Sequence, residues 1–573
     1  MKDGEHSFSF KGLFSPLTTF KAIHIFIIVG LIVFFNMLFN VFVWDDKVFI
    51  LLYSGVHSIN LIKLFEPSLY NSIHFYRPLA ATYFSILYSV FTTNVFFYHL
   101  FQLAFHILNT ILLYLLFKRF LNKYVSLFLS LIFLVHPMQV ESVSYISQTA
   151  TPLSFLFGMS ALLLLFKKPN YSIVVVDLLL LLSILTKESG FVFLLSANYY
   201  IFMYKEINRM KFLLSSFFVL LIYLLTRFTI GSGLFGHESL ITFIVYPQIA
   251  RSSILVRLQT IPAIIFYYIK TFIYPASLAI DQNWVVSFPN LWNFYLPLLV
   301  DVIIFAGFFA FGIYCFKYRK TFFKTYLFFA ILFLFSLGIV SQIIPLDMTV
   351  ADRWFYFPMA GILGMIGIIY REFIHDKLLK KLSLIFVIGF LLLLGIRTIV
   401  RNTNWQDAIG LYTHDIKISD NFNIEDILGQ EYLASSQYNK AYIHLQKSIK
   451  FYPQWEQSWN NLGVYYQDTG DMKDAIRAYS VAIKNNSGLY SAYENLGRVY
   501  LLSNNLRDEQ VFLTKVAFVK YPNNSFLYGL KGITDYRQGK KQKAIAEIQK
   551  SYTLSRDKSY LLIISQMRSG EKL

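Results

Sequence analysis

AIHIFIIVGLIVFFNMLFNVFV, Ala22 to Val43, contains no Asp, Glu, Lys or Arg. A helix needs about 20 apolar residues to cross a bilayer core, so this run is long enough to stay in the membrane and is too long for the core of a cleavable leader. Runs of similar character follow, and eleven spans are expected: 22–43, 95–117, 124–139, 150–166, 171–186, 190–204, 212–229, 293–316, 325–344, 355–370 and 382–399. The whole chain of 573 residues is 56% hydrophobic and 15% charged, with a mean hydropathy of +0.51. Soluble domains carry about 25% charged residues, so a single soluble domain is excluded. The expected fold is all-α, a polytopic transmembrane bundle followed by a soluble helical region.

Charge sets the expected orientation. The formal net charge is +18; residues 401–573 carry +5 (22 basic, 17 acidic) and residues 1–400 carry +13 (29 basic, 16 acidic). In the first 400 residues the cations sit in short clusters between apolar runs, the positive-inside pattern, and not on a nucleic-acid-binding surface. With residues 1–21 cytoplasmic, 19 basic residues fall in inner segments and 10 in outer ones. An odd number of spans then puts the C-terminal region on the non-cytoplasmic side. Residues 44–94 are expected as an outer loop of amphipathic surface helices. Residues 251–274 are expected as an interfacial or re-entrant element, because counting them as a span breaks the charge alternation. The lone Cys315 excludes a disulfide scaffold and a cysteine zinc site.

Beyond a linker at 401–421, the sequence repeats at 34 residues. Leu428, Leu462 and Leu496 fall in register, as do Gly429, Gly463 and Gly497, and Tyr432, Tyr466 and Tyr500. Small and aromatic residues at this period mark tetratricopeptide repeats, helix pairs that bury their faces on one another. Four repeats are expected over 422–557, with a capping helix at 558–573, and such an array takes a protein or peptide along its groove.

Chemistry is expected where ionisable residues collect at the outer ends of the spans. Asp45 and Asp46 follow the first span. On a helix their side chains splay by about 100°, so one can act as a general base on an acceptor hydroxyl while the other orients it; the pair can equally cap the next helix. Arg77, in His74-Phe75-Tyr76-Arg77-Pro78-Leu79, is a cation on the side that should lack them. His136 and Glu141 lie about 140° apart on a helix, which is not a two-ligand metal face. Lys187, in Thr186-Lys187-Glu188-Ser189-Gly190, and Arg353, in Val350-Ala351-Asp352-Arg353-Trp354, suit phosphate oxygens, or anchor the interface by pairing with their neighbours Glu188 and Asp352. Asp177 and Asp301, inside spans, are expected to bridge helices. No phosphate-cradling Gly-rich loop is present, which argues against a nucleotide-driven pump.

The order of these motifs, then Asn402-x-x-Trp405 and tetratricopeptide repeats, resembles the transmembrane-and-tetratricopeptide-containing O-mannosyltransferases of the GT-C glycosyltransferase superfamily. The resemblance covers nearly the whole chain. It implies a GT-C-type membrane domain over 22–400 and transfer of a sugar from a polyprenyl-phosphate donor to a hydroxyl on the non-cytoplasmic face. Asp45 matches the catalytic base, with Asp46 beside it, and Arg77, His136, Glu141, Lys187 and Arg353 match the donor phosphate and sugar pocket. No cofactor is required; Asp45 and Asp46 leave room for a divalent metal without calling for one. Trp44 stands where animal members have Tyr and Asp352 where they have Glu, and the repeat array is shorter. The Phe-, Ile-, Lys- and Asn-rich composition looks prokaryotic, which implies a plasma membrane and leaves open a donor other than dolichol-linked mannose. Two other readings stand beside protein O-glycosylation: a GT-C transferase acting on a lipid-linked or cell-envelope glycan, and a membrane-anchored scaffold without activity.

Overall fold

The computed structural model describes residues 17–59, 77–167, 173–204, 209–229 and 248–572. The expected cytoplasmic residues 1–16, His74-Phe75-Tyr76 and much of the outer loop lie outside them. Apart from a single bridge between Gln282 and Val350, the described residues are helices, turns and irregular segments. The chain divides into two compact units, Met1–Ser419 and Asp420–Leu573.

The first unit contains α1 Thr19–Phe34, α2 Pro78–Phe91, α3 Val95–Phe120, α4 Lys123–Val135, α5 Val140–Ser144, α6 Ala150–Lys167, α7 Ile173–Thr186, α8 Phe191–Tyr204, α9 Arg209–Thr229, α10 Ile254–Ile273, α11 Leu296–Tyr318, α12 Lys320–Ile339, α13 Tyr356–Phe373, α14 Lys377–Asn404 and α15 Ala408–Asp415. Among the described residues, eight helical runs are long and apolar enough to cross a bilayer, nine if the bent pair Lys123–Val135 and Pro137–Ser144 is one span. Eleven were expected. The difference lies in α7 and α8, whose described parts, of 14 residues each and about 21 Å long, are shorter than the hydrocarbon core. The expected span 124–139 ends at Val135, where the chain turns by 51° ahead of Pro137. Residues 254–273 form one continuous helix, with Pro262 inside it.

Small residues and buried polar groups draw the bundle together. A Cβ at Gly361 would lie 2.4 Å from the Phe333 backbone nitrogen, and one at Gly364 would lie 2.2 Å from the Phe329 ring. Only glycine lets α13 approach α12 this closely, as in small-residue packing of membrane helices. Asn109 of α3 donates to Pro152 O at 2.8 Å and to the Tyr356 hydroxyl at 2.9 Å. That hydroxyl in turn reaches His106 Nδ1 at 3.0 Å, and His106 Nε2 donates to Leu134 O at 3.0 Å. This knot fixes the start of α13 against α3, α4 and α6. Asp301 does not bridge helices as expected: it is buried and neither carboxylate oxygen has a partner among the described residues. Asp177 Oδ1 is likewise buried without a hydrogen-bond partner among the described residues.

Residues 401–419, expected within a linker, are folded into the first unit. Arg401 grips Asp415 with two hydrogen bonds, at 2.6 and 2.9 Å, both residues being buried, and Asp415 also accepts from Ile280 N at 2.7 Å. In the second unit, Phe422–Ala434 packs on Tyr438–Phe451, Glu456–Asp468 on Met472–Asn485, and Ser525–Arg537 on Lys541–Ser555; Tyr490–Leu502 precedes Leu506–Phe512, and Ser559–Ser569 closes the unit. The repeat glycine has a steric cause. A Cβ on Gly463 would meet the Tyr479 ring at 2.5 Å.

Candidate active site

Trp44 sets the direction of the two aspartates. Its φ of +48° lies in the left-handed region, unusual for a bulky residue, and turns the chain sharply out of the first span. Its ring stacks on Tyr145, with centroids 5.9 Å apart and planes 5° from parallel, and Trp405 covers Tyr145 at 5.7 Å. The Tyr145 hydroxyl donates to Asp45 Oδ2 at 2.7 Å. Asp45 is half-buried, and its second oxygen has no hydrogen bond among the described residues. Asp46 is different. It is fully buried and accepts from Ser147 N at 2.6 Å, Ser147 Oγ at 2.5 Å and Val43 N at 3.3 Å. Those bonds tie the first turn to the 145–149 segment, so Asp46 positions and Asp45 is presented.

Burial lifts the Asp45 carboxyl above the usual carboxylate range; the Tyr145 bond and the Arg353 charge oppose the rise and Asp347 adds to it. Burial also pushes Asp46 up to about 7, against the bonds from Ser147 and Val43. Arg353 and Asp347 therefore lie within electrostatic reach of Asp45.

Lys187 is brought in by a serine pair. Ser154 Oγ donates to Ser183 O and Ser183 Oγ to Ser154 O, each at 2.8 Å, which locks α6 on α7. Thr151 precedes Ser154 by one turn and Lys187 follows Ser183 by one turn, so Lys187 Nζ meets Thr151 Oγ1 at 2.6 Å. Gly190 permits the turn, since a Cβ there would sit 2.7 Å from the Ser183 carbonyl carbon. Burial, with the charges of Arg77 and Arg353, brings the Lys187 ammonium down to about 7, against Glu188 and Asp347.

The neighbour pairs allowed by the sequence do not form. Glu188 pairs with Arg77 at 3.1 Å and Arg227 at 3.8 Å, not with Lys187. Burial works against its charge, yet the two guanidinium groups hold it below the usual range. Arg353 pairs with Glu141 through its guanidinium, and its backbone N donates to Glu141 Oε2 at 2.9 Å. Asp347 Oδ2 lies 3.7 Å from Arg353 Nη2. Asp352 instead accepts from Tyr267 at 2.6 Å. His136 is buried with both ring nitrogens engaged: Nε2 donates to Phe272 O at 2.9 Å, and Nδ1 accepts from Met138 N at 3.2 Å. Expected to bind donor, it instead pins the bend after α4 to α10.

Asp45, Lys187, Arg77, Glu141 and Arg353 thus belong to one electrostatic cluster, joined by Tyr145, Thr151, Asp347 and Arg227, which sequence reasoning passed over. Asp347 could have been found, because it stands at a span end as Asp352 does. Tyr145 and Thr151 carry no charge and gave no such signal. Among the described residues no three His, Cys, Asp or Glu side chains converge as a metal site, and Asp46, with both oxygens held by donors, does not suit a shared divalent ion.

A tetratricopeptide repeat family model matches residues 456–487. Over 514 residues the chain is 23% identical to the protein O-mannosyl-transferase TMTC3 of Mus musculus, covering 81% of this chain and 54% of that protein. It is 25% identical over 401 residues to the protein O-mannosyl-transferase F38B6.6 of Caenorhabditis elegans, covering 68% and 55%. To TMTC3 of Homo sapiens it is 23% identical over 508 residues, covering 80% and 54%. The chain spans about half the length of these curated relatives. It is similar to proteins named protein O-mannosyl-transferases across most of its length.

Proposed function

We propose that this protein is an integral-membrane glycosyltransferase that moves a sugar, mannose by its similarity, from a polyprenyl-phosphate donor to a hydroxyl of a protein or peptide on the non-cytoplasmic face. The observation that carries the reading is a presented carboxylate, Asp45, and a buried lysine, Lys187, that both lie in the field of the same Arg353 and Asp347. The acceptor oxygen attacks the anomeric carbon as the bond from that carbon to the phosphate oxygen breaks on the opposite face, inverting configuration. The acceptor proton passes to the free oxygen of Asp45. The phosphate leaves with the bonding electrons, and its growing charge is met by Lys187 and by the field of Arg353. Burial raises Asp45 above the ordinary carboxylate value, which makes it a stronger base, and Tyr145 keeps the carboxylate aimed. Phosphate is a good leaving group, so the chain's own residues suffice. The repeat array is the surface that receives the acceptor polypeptide.

The test is transfer of radiolabelled sugar from several polyprenyl-phosphate donors by purified protein supplied with envelope extract, with Asp45→Asn alongside. Label should move to protein with the wild type only. Label moving to a glycan or lipid would transfer the reading to an envelope transferase. Full activity of Asp45→Asn would remove the base, and no turnover by folded protein with any donor would leave a scaffold.

A further inference from the structure

At the other end of α13, about 27 Å along an 18-residue helix from the Arg353 end, an open cleft of about 720 Å³ lies where α11, α12, α13 and α14 meet. Its walls carry Arg319, Lys320, Arg371, His375 and Lys380 against one acid, Glu372. Two of the cations are braced. Arg319 Nε donates to Glu372 Oε1 at 2.8 Å, an oxygen also held by Tyr314 at 2.7 Å. Arg371 donates to Phe120 O at 2.5 Å and lies over the Phe322 ring at 4.6 Å. Lys320 and Lys380 stand on opposite elements, at the start of α12 and in the first turn of α14, and neither side chain has a partner among the described residues. No side chain caps the start of α12, so the N–H groups of Lys320, Thr321 and Phe322, residues that line the cleft, have no intrahelical partners.

We infer that the cleft is a binding site for the phosphate headgroup of an anionic phospholipid. The cations alone would follow from the orientation rule, but that rule asks only for charge near span ends. It does not ask for two unpaired ammonium groups, two braced guanidinium groups and an open helix start around one cavity. The apolar surroundings point to a lipid: Tyr318 lines the cleft, and Phe316, Phe373 and Leu378 stand within two residues of lining positions in the chain, each more than half exposed, where acyl chains would lie. Basic pockets between membrane helices take such headgroups.

The experiment uses the full chain purified in neutral detergent, with native mass spectrometry reading bound phosphatidylglycerol against phosphatidylcholine of the same chains. Phosphatidylglycerol should be retained preferentially. Each cation near a headgroup is worth about fivefold in affinity, so Lys320→Gln/Lys380→Gln should cost about 25-fold. The control Lys317→Gln/Lys381→Gln, which removes the same charge at the same end outside the cleft lining, should cost much less. Equal loss in both pairs would mean diffuse surface charge and overturn the site, as would no preference in the wild type. Displacement of the lipid by millimolar inorganic phosphate would mean a soluble phosphate is the true occupant, and would overturn the lipid assignment.

Discussion

Tyr145→Phe tests the assignment of Asp45 more sharply than removal of the carboxylate does. The substitution deletes one hydroxyl and leaves the ring between Trp44 and Trp405. Burial and the nearby aspartates raise the Tyr145 hydroxyl well above its ordinary value, so it stays protonated and donates throughout the working range. A 2.7 Å bond to a carboxylate is charge-assisted and worth about 1.5–3 kcal/mol. At 1.36 kcal/mol for each pKa unit, its loss should raise the Asp45 pKa by about 1–2 units. A base must be ionised to accept a proton, so the acid limb of kcat/KM should move up by about 1–2 pH units. Well above the new limb, the rate should return to within a small factor of the wild type. The measurement is the pH profile of sugar transfer from the polyprenyl-phosphate donor. An acid limb that stays in place, or an equal loss at every pH, would refute the reasoning.

Lys187, brought down to about 7, is charged below that pH and neutral above it. The donor KM of the wild type should therefore climb as pH rises past about 7, and Lys187→Met should start high and lose this dependence. Glu141→Gln leaves the buried Arg353 with only the more distant Asp347 carboxylate at 3.7 Å and should cost up to about 3 kcal/mol, read as a lower melting temperature of the solubilised protein. Asp46→Asn turns an amide NH2 toward a donor, either the Val43 N–H or the Ser147 donors. It should destabilise the 43–47 turn by about 1–3 kcal/mol, read by proteolysis at that turn. Gly463→Val drives a side chain into the Tyr479 ring and should cost about 1–3 kcal/mol, read as faster trypsin cleavage within 420–573 of the full chain.

The helical class and the repeats were legible because both depend on short-range pattern. The period that places Gly463 also places Tyr479 over it, and an uncharged run of 22 residues has few other uses. What sequence could not supply was the choice of partners. Arg353 adjoins Asp352 in the chain, yet adjacent side chains splay by about 100° on a helix, and the guanidinium turns to Glu141, 212 positions away. Lys187 likewise passes over Glu188 for Thr151. His136 looked available because a buried histidine and an exposed one read alike; only the carbonyl of Phe272 reveals its engagement. The 401–419 segment read as a linker from its polarity, but Trp405 and Asp415 pack inside the first unit. The short helices α7 and α8 escaped because composition does not reveal where a helix starts, and the Lys187 turn separates them.

The pairing pattern bears on which cation would meet a donor phosphate. Arg77 and Arg227 both face Glu188, and Arg353 is held by Glu141 and Asp347. To bind phosphate directly, any of these would have to share or abandon a carboxylate, and a carboxylate left unpaired in a buried site costs several kcal/mol. Lys187 faces no such loss. Its hydrogen-bond partner is the neutral Thr151 hydroxyl, and an ammonium has three N–H donors, so two remain for phosphate oxygens. Under the proposed function Lys187 would then be the direct contact, while Arg353 would act through its field on both the phosphate and Asp45. The two ends of the reaction should separate in kinetics: Lys187→Met should appear first in the donor KM, and Asp45→Asn in kcat with donor binding retained. A fall in kcat with unchanged donor KM on loss of Lys187 would return the phosphate to Arg353 and make the lysine a transition-state contact alone.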